Sequence, residues 1–245
     1  MVIWVFAGGG QAEANGLIPF LQAQFPQHIF DRKTPVGLKR NRKKPRKLNR
    51  DNPEKYINRQ RTSGIGATAQ SLSEQIINRL PDALKYETPC DLILVFDDLD
   101  CRDIDTQTTL LSDAINSVNG AVQISQIISF ASPELESWII ADWDHVIGGY
   151  AEFKRHTVEM KLWLTNEANV SFDSPESFSE YDPQKDSCRD KLSKVIQDCA
   201  DIVAHEYYSK DRHTSELITM LNPETVAQKC THFRQLYQAL TNLNQ

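Results

Sequence analysis

The sequence predicts an α/β protein: a four-stranded, mainly parallel sheet flanked by helices, with a helical extension at the C-terminal end. Three observations carry this. Short apolar runs rich in strand-forming residues recur at Val2 to Phe6, Leu92 to Phe96 and Val122 to Phe130, and amphipathic stretches alternate with them, the pattern of a parallel sheet wrapped by helices. The run Leu92 to Phe96 stops abruptly at five aspartates within nine residues, Asp97, Asp98, Asp100, Asp103 and Asp105, as a buried parallel strand does where it meets a loop. Gly8-Gly9-Gly10 follows the first run and supplies a turn that needs unusual backbone angles.

After that turn, Leu17, Phe20, Leu21 and Phe25 recur at helical spacing, so a helix is expected over Ala12 to Phe25, with Pro19 kinking it or marking a late start. His28 to Phe30 reads as a short second strand. A further helix is expected over Thr68 to Leu80, with Leu72, Ile76, Ile77 and Leu80 on one face. Another is expected over Thr106 to Val118, with Leu110, Leu111, Ile115 and Val118 inward. Ser132-Pro133-Glu134 reads as a helix start, with a capping serine and proline in the first turn. Cys188 to Val203 and Phe233 to Leu240 form apolar stripes of helices that pack on the sheet.

A chain of 245 residues fits an α/β domain over residues 1–150, with a basic insertion at 32–61, and a helical extension over 151–245. No apolar stretch reaches the length of a membrane span and the N-terminus lacks the pattern of a signal peptide, so a cytoplasmic protein is expected. Five widely spaced cysteines without a Cys-x-x-Cys argue against a disulfide framework and a zinc site. Cys188 and Cys199 fall on a helical apolar stripe, and His205 and His213 read as packing or surface residues. The net charge of −6 is uneven: Arg32 to Arg61 holds 13 of the 27 Lys and Arg against two acids, whereas 29 acids face 14 basic residues beyond it. Lys39, Arg40, Arg42, Lys43, Lys44, Arg46, Lys47 and Arg50 concentrate the positive charge and point to a phosphate-rich partner.

In a parallel sheet, ligands sit at the carboxyl ends of the strands. The glycine turn at Ala7 to Gly10, the acids Asp98 and Asp100, and Glu136 should therefore meet at one edge. Asp98 and Asp100 lie within reach of one hard cation, and Mg²⁺ commonly takes one or two carboxylates and completes its shell with water and phosphate. Glu136 could hold a second ion or orient a water; two ions about 4 Å apart stabilise the entering and leaving oxygens of a phosphodiester. The competing reading of the acids is a solvated turn that caps the next helix.

Phe6-Ala-Gly-Gly-Gly10, Phe96-Asp-Asp98-Leu-Asp100 and Ser132-Pro-Glu-Leu-Glu136-Ser-Trp138-Ile-Ile-Ala-Asp142 resemble the motifs of TOPRIM domains, the fold of topoisomerases, primases and OLD-type nucleases. The tail, Tyr208-Ser-Lys210 and Cys230 to Leu236, is similar to the ending of a set of TOPRIM-like proteins suspected of roles in prokaryotic defence. The resemblance covers most of the chain, the basic segment excepted. It implies a metal-dependent nuclease acting with Mg²⁺ or Mn²⁺ on nucleic acid, DNA rather than RNA, in anti-phage defence. The site it implies comprises Asp98, Asp100 and Glu136 as metal ligands, with position 7 and Lys210 in the catalytic set. Lys210 could hold a scissile phosphate; a solvated lysine at a helix end is an equal reading. Trp138 reads as a packing residue.

TOPRIM enzymes carry a glutamate where this chain has Ala7, and a methyl group offers neither lone pair nor proton. Three explanations stay open: a chain silenced at this position, a natural relative that binds without cutting, or another acid in its place, for which Glu13 is the near candidate. Two further readings stand beside the nuclease. One is a nucleotide-binding module, with Gly8-Gly9-Gly10 at a pyrophosphate and Asp31 at a ribose, although Glu13 stands where the fingerprint wants a glycine. The other is an inactive TOPRIM-like subunit working with an ABC-type ATPase, a partner implied by the resemblance alone. A homodimer is left open.

Overall fold

The computed structural model describes residues 1–8, 10, 12–34 and 71–243. The basic run from Lys39 to Arg50 and the first residues of the helix expected from Thr68 lie outside the described residues. Strand β1 (Val2–Ala7) leads through a wide π-type turn (Glu13–Leu17) into α1 (Ile18–Gln24) and β2 (Ile29–Thr34). Then come α2 (Leu72–Tyr86), β3 (Leu92–Asp98), α3 (Ile104–Asn116) and β4 (Ser125–Ala131). Beyond the sheet lie α4 (Glu136–Ala141), α5 (Trp143–Gly149) and α6 (Thr157–Ala168). A short hairpin of β5 (Tyr181–Asp182) and β6 (Ser187–Cys188) interrupts the helices. The chain ends with α7 (Leu192–Cys199), α8 (Ser215–Met220), α9 (Pro223–Lys229) and α10 (Thr231–Asn242).

The main sheet has the order β2-β1-β3-β4 and is parallel throughout. Its two central strands read as unbroken apolar runs because both faces are covered. Ile3, Val5, Ala7, Leu92, Leu94 and Phe96 face a core shared with α1 and the C-terminal helices. Trp4, Phe6, Ile93 and Val95 face α2 and α3. Trp138 stands edge-on between Phe96 (5.4 Å) and Phe233 (4.8 Å), a packing role as expected, and this joins α4 and α10 to the sheet. The helix expected over Ala12 to Phe25 is continuous from Ala12 to Gln24, and Pro19, lacking an N–H, sits just after its π-helical stretch gives way to α1.

Several expectations need correction. Ile77 and Leu110 are exposed; each is adjacent to a buried residue, Ile76 or Leu111, and neighbours on a helix point about 100° apart, so one of each pair faces water. Val122 is exposed before β4 begins. Ser132 caps nothing: α4 starts at Glu136, with Leu135 before it, and the Ser132 hydroxyl donates to the Glu176 carbonyl instead (3.4 Å). Cys188 is not on a helix but in β6, and it is bonded to Cys101. Asp31 bonds Lys33 (2.6 Å) on β2. Lys33, although part of the basic stretch, is buried over Trp4 (4.6 Å) and also paired to Glu87, so it is not free to meet a partner.

Gly16 lets the π-type turn lie against α8. A Cβ there would come within 2.9 Å of the Ser215 carbonyl oxygen and 3.2 Å of Ile218 Cβ. Gly16→Ala should therefore cost about 1–3 kcal/mol through overpacking, a fall in Tm of roughly 2–10 °C. Gly148→Ala, where a Cβ meets only ordinary contacts at 4.0 Å, should leave Tm unchanged or higher. Differential scanning calorimetry of the two variants checks this.

Candidate functional site

Adjacent parallel strands end side by side, and that places the acids. Asp98 closes β3, paired in register with Ala131 at the end of β4. The ladder then continues into the turns: Leu99 N–H donates to the Ala131 carbonyl (2.8 Å) and Asp100 N–H to the Pro133 carbonyl (2.9 Å). Leu135 N–H, at the start of α4, donates to Asp98 Oδ1 (2.8 Å). The helix is thus capped by a carboxylate from the neighbouring strand, and Glu134 and Glu136 are delivered beside Asp98.

Lys210 stands among them. Its Nζ lies 3.3 Å from Glu136 Oε2, 3.5 Å from Glu134 Oε1 and 3.7 Å from Asp98 Oδ2. Glu136 is fully buried, whereas the lysine side chain is 33% exposed. Each carboxylate has a second partner. Glu134 accepts from Ser193 N–H (3.0 Å) and Oγ (3.1 Å) in the first turn of α7. Glu136 Oε1 accepts from the Thr214 hydroxyl (2.9 Å), which also meets the buried Tyr208 hydroxyl (2.9 Å). The loop before Lys210 is held by His213, whose Nδ1 accepts from Ser209 N–H (2.7 Å). That leaves Nε2–H to donate to Glu152 (2.9 Å).

The first turn of the sheet completes the edge. Gly8 N–H donates to the Phe96 carbonyl (3.0 Å), and a Cβ on Gly8 would sit 1.9 Å from Asp97 Oδ1, so any other residue would have to displace the Asp97 carboxylate. Ala7 is fully buried in the core and presents no donor. Glu13 is 2% exposed, its Oε2 has no hydrogen-bond partner, and its charge acts on Asp97, Asp98 and Lys210. Asp100 faces elsewhere: it pairs with Lys191 and, at 3.6 Å, with Arg102. Asp103 caps α3 through Thr106 N–H (2.9 Å). The aspartate run thus divides between a buried site and a helix cap.

The electrostatics follow from burial. Loss of water, then the charges of Glu13, Glu136 and Glu134, push Asp98 well above the usual carboxylate range, against the pull of Lys210. Burial, with Glu134, raises Glu136 against Lys210 and the Thr214 hydroxyl. Burial, with Glu13, raises Asp97 to about 7. For Lys210, burial works against the charge, but Glu136, Asp98, Glu134 and Glu13 together outweigh it and hold the ammonium above its ordinary value.

The structure brings together Asp98, Glu136 and Lys210 of the residues expected at the site, sets Glu13, the near candidate for the acid missing at position 7, where its charge acts on Asp98 and Lys210, and adds Glu134. It does not bring Asp100 or Ala7 into the cluster. The eight basic residues Lys39 to Arg50 lie outside the described residues. Glu134 was present in the Ser-Pro-Glu-Leu-Glu motif but reads there as a helix-start acid. Tyr208 stood in the tail that carried the resemblance but without a role, and His213 was read as a packing or surface residue, whereas it is buried and holds the Lys210 segment; Thr214 and Glu152 left no signal in the sequence. Hard oxygen donors are the type that suits a divalent cation of the Mg²⁺ class; Glu13 Oε2 is buried without a hydrogen-bond partner, and Glu136 Oε2 has only the Lys210 ammonium, at 3.3 Å. With Lys210 among them, no group of three or more acids, His or Cys among the described residues is arranged to hold one.

Fold and site together define an α/β protein with a carboxylate–lysine cluster at the tips of a parallel sheet. Over residues 10–241 the chain matches the family model described as Domain of unknown function (DUF4276), and it belongs to that family. Comparison with curated proteins and with solved structures gives no match. No helix among the described residues is long and apolar enough to cross a membrane.

Removing the ammonium tests the cluster. Lys210→Met should destabilise the fold by about 3 kcal/mol, the low end for breaking a buried ion pair because the lysine is partly exposed. Adding Glu136→Gln should recover part of that loss, and a double-mutant cycle by urea denaturation measures the coupling.

Proposed function

We propose that this protein is a metal-dependent nuclease of TOPRIM type that hydrolyses phosphodiester bonds of nucleic acid in the cytoplasm, DNA in preference to RNA, as part of prokaryotic anti-phage defence. The observation that carries the reading is the convergence of Asp98, Glu134 and Glu136 on Lys210 at the strand tips. With Lys210 drawn aside, Asp98, Glu136 and Glu13 would hold Mg²⁺ or Mn²⁺, while Asp100 stays paired with Lys191 and Arg102. When bound, such an ion polarises a phosphoryl oxygen and lowers the pKa of a coordinated water. Glu13 takes the part of the acid that Ala7 cannot supply, so cleavage needs no substitution at position 7. Lys210 holds a non-bridging phosphate oxygen and offsets charge in the transition state. His213 and Glu152 fix the loop from which Lys210 projects. Lys39 to Arg50 bind the phosphate backbone.

With Mn²⁺ or Mg²⁺ the purified chain should cut DNA, and Asp98→Asn or Glu136→Gln should lower the rate at least 100-fold. Absence of cleavage of single- and double-stranded DNA and RNA with either ion would overturn the catalytic reading. The second reading, an inactive TOPRIM-like subunit working with an ABC-type ATPase, is favoured by one feature: Lys210 already occupies the centre of the carboxylates. In either case binding should weaken with salt by roughly 0.9 in log K per log[salt] for each phosphate neutralised on duplex DNA. Replacing Lys43, Lys44, Arg46 and Lys47 by Gln should flatten that slope by about 3–4, measured by fluorescence anisotropy between 50 and 200 mM salt.

A further inference from the structure

The loop that carries the acids is tied to a distant segment. Cys101, next to Asp100, is disulfide-bonded to Cys188 of β6, 87 residues further on (Cα–Cα 5.0 Å). Polar contacts run beside the bond. Lys191 pairs with Asp100, and Arg102 Nη2 donates to the Asp186 carbonyl (2.7 Å) and lies 3.4 Å from its carboxylate. Asp100 and Cys101 have φ of 53° and 61°, a left-handed region that non-glycine residues hold only when their surroundings impose it. The disulfide and its flanking ion pairs act on these two residues directly, beside the backbone bond from Asp100 to Pro133.

The bond is also reachable from one side. A cleft of about 460 Å³ opens on Cys101, lined with Arg102, Asp103, Thr106, Tyr181 and Asp186. Cys188 is buried. In the reducing cytoplasm, the location proposed above, disulfides are transient and redox-sensing rather than structural. We propose that Cys101–Cys188 is a redox-active pair, opened through this cleft by a dithiol reductant, and that when oxidised it clamps the Cys101–Arg102 end of the acidic loop to the β5–β6 hairpin.

The exchange balances. A thiolate of the dithiol attacks Cys101 Sγ and forms a mixed disulfide; the S–S bond breaks and Cys188 leaves as a thiolate that takes a proton. The second thiolate of the reductant then attacks its own sulfur in the mixed disulfide. Cys101 is released and protonated, and the reductant is left as a disulfide, two electrons having passed to the protein. What remains between loop and hairpin is a set of partly exposed ion pairs, each worth little. Leu99 and Asp100 keep their backbone bonds to Ala131 and Pro133, so the loosening centres on Cys101, Arg102 and the β5–β6 hairpin. The other cysteines are poor competitors: burial pushes Cys90 to about 11 and Cys199 to about 12, and raises Cys230 further.

The test uses the full chain after oxidation with oxidised glutathione, with and without dithiothreitol. A short iodoacetamide pulse at pH 8 with peptide mass spectrometry reads the thiols, and amide hydrogen exchange reads the loop. Cys101 should be unlabelled before reduction and labelled first after it. Exchange at residues 101–103 and 181–190 should rise at least tenfold, and Tm should fall by about 5–15 °C for a bond closing so long a loop. Cys101→Ser in oxidising buffer should match the reduced protein. Equal labelling of Cys101 before and after reduction, or exchange unchanged by reduction, overturns the proposal. None of these measurements depends on nuclease activity, so the clamp and the catalytic reading stand or fall separately.

Discussion

An ammonium group shared among buried carboxylates is the constraint to which this edge of the fold is built. Taking several like charges out of water costs far more than any one contact returns. The cluster persists because every carboxylate has a donor besides the lysine: Leu135 N–H for Asp98, Ser193 for Glu134, Thr214 for Glu136. Those donors come from the start of α4, the start of α7 and the turn before α8. The site therefore fixes the mutual positions of three helices. The C-terminal region is not an appendage in energetic terms, because it supplies the charge and the hydroxyls without which the strand-tip acids could not be buried.

Parallel topology explains how such distant residues meet. Strands that run the same way end at the same edge, and each turn leaving that edge contributes side chains to one small volume. Gly8 is essential to the arrangement in a local sense, since the Asp97 carboxylate fills the space a side chain would need. Gly16 does the same one step further along, letting the turn that bears Glu13 pack on the segment that follows Lys210. Two glycines thus allow a carboxylate and a lysine about 200 positions apart to share one electrostatic environment.

Much of the fold was legible in the sequence because it rests on local pattern. Strands covered on both faces read as unbroken apolar runs, and Leu92 to Phe96 could hardly be anything else. Adjacent apolar pairs such as Ile76–Ile77 were the weak point, since pattern alone does not say which member faces the core. At the site, Asp98 and Glu136 were legible from their place at strand ends. Asp100 was misplaced because an Asp-x-Asp spacing puts both side chains on one face only while the chain stays extended. Here it leaves β3 after Asp98 and turns through a left-handed residue at Asp100, which delivers that carboxylate to Lys191. The Cys101–Cys188 pairing spans 87 residues, and no spacing rule reaches that far. Glu134 was hidden by its own motif, since Ser-Pro-Glu reads equally well as the start of a helix.

The geometry around Lys210 also bears on how the proposed chemistry would run. Its three carboxylate distances, 3.3, 3.5 and 3.7 Å, all exceed those of a short charge-assisted hydrogen bond, about 2.7–2.9 Å. The ammonium is attracted to all three acids and locked to none. Asp98 and Glu136, by contrast, are each held by a hydrogen bond of 2.8 or 2.9 Å to a rigid neighbour. The side chain able to shift is therefore the lysine, which is also the partly exposed one. In the proposed chemistry, a phosphate arriving from solvent would draw Lys210 outward along its own exposed direction, and the acids it leaves behind would keep their positions. In that arrangement the lysine that neutralises the cluster at rest and the lysine that grips the substrate are the same residue. On the proposed function, the carboxylates would become available to a divalent ion only when a phosphate is present to take the ammonium.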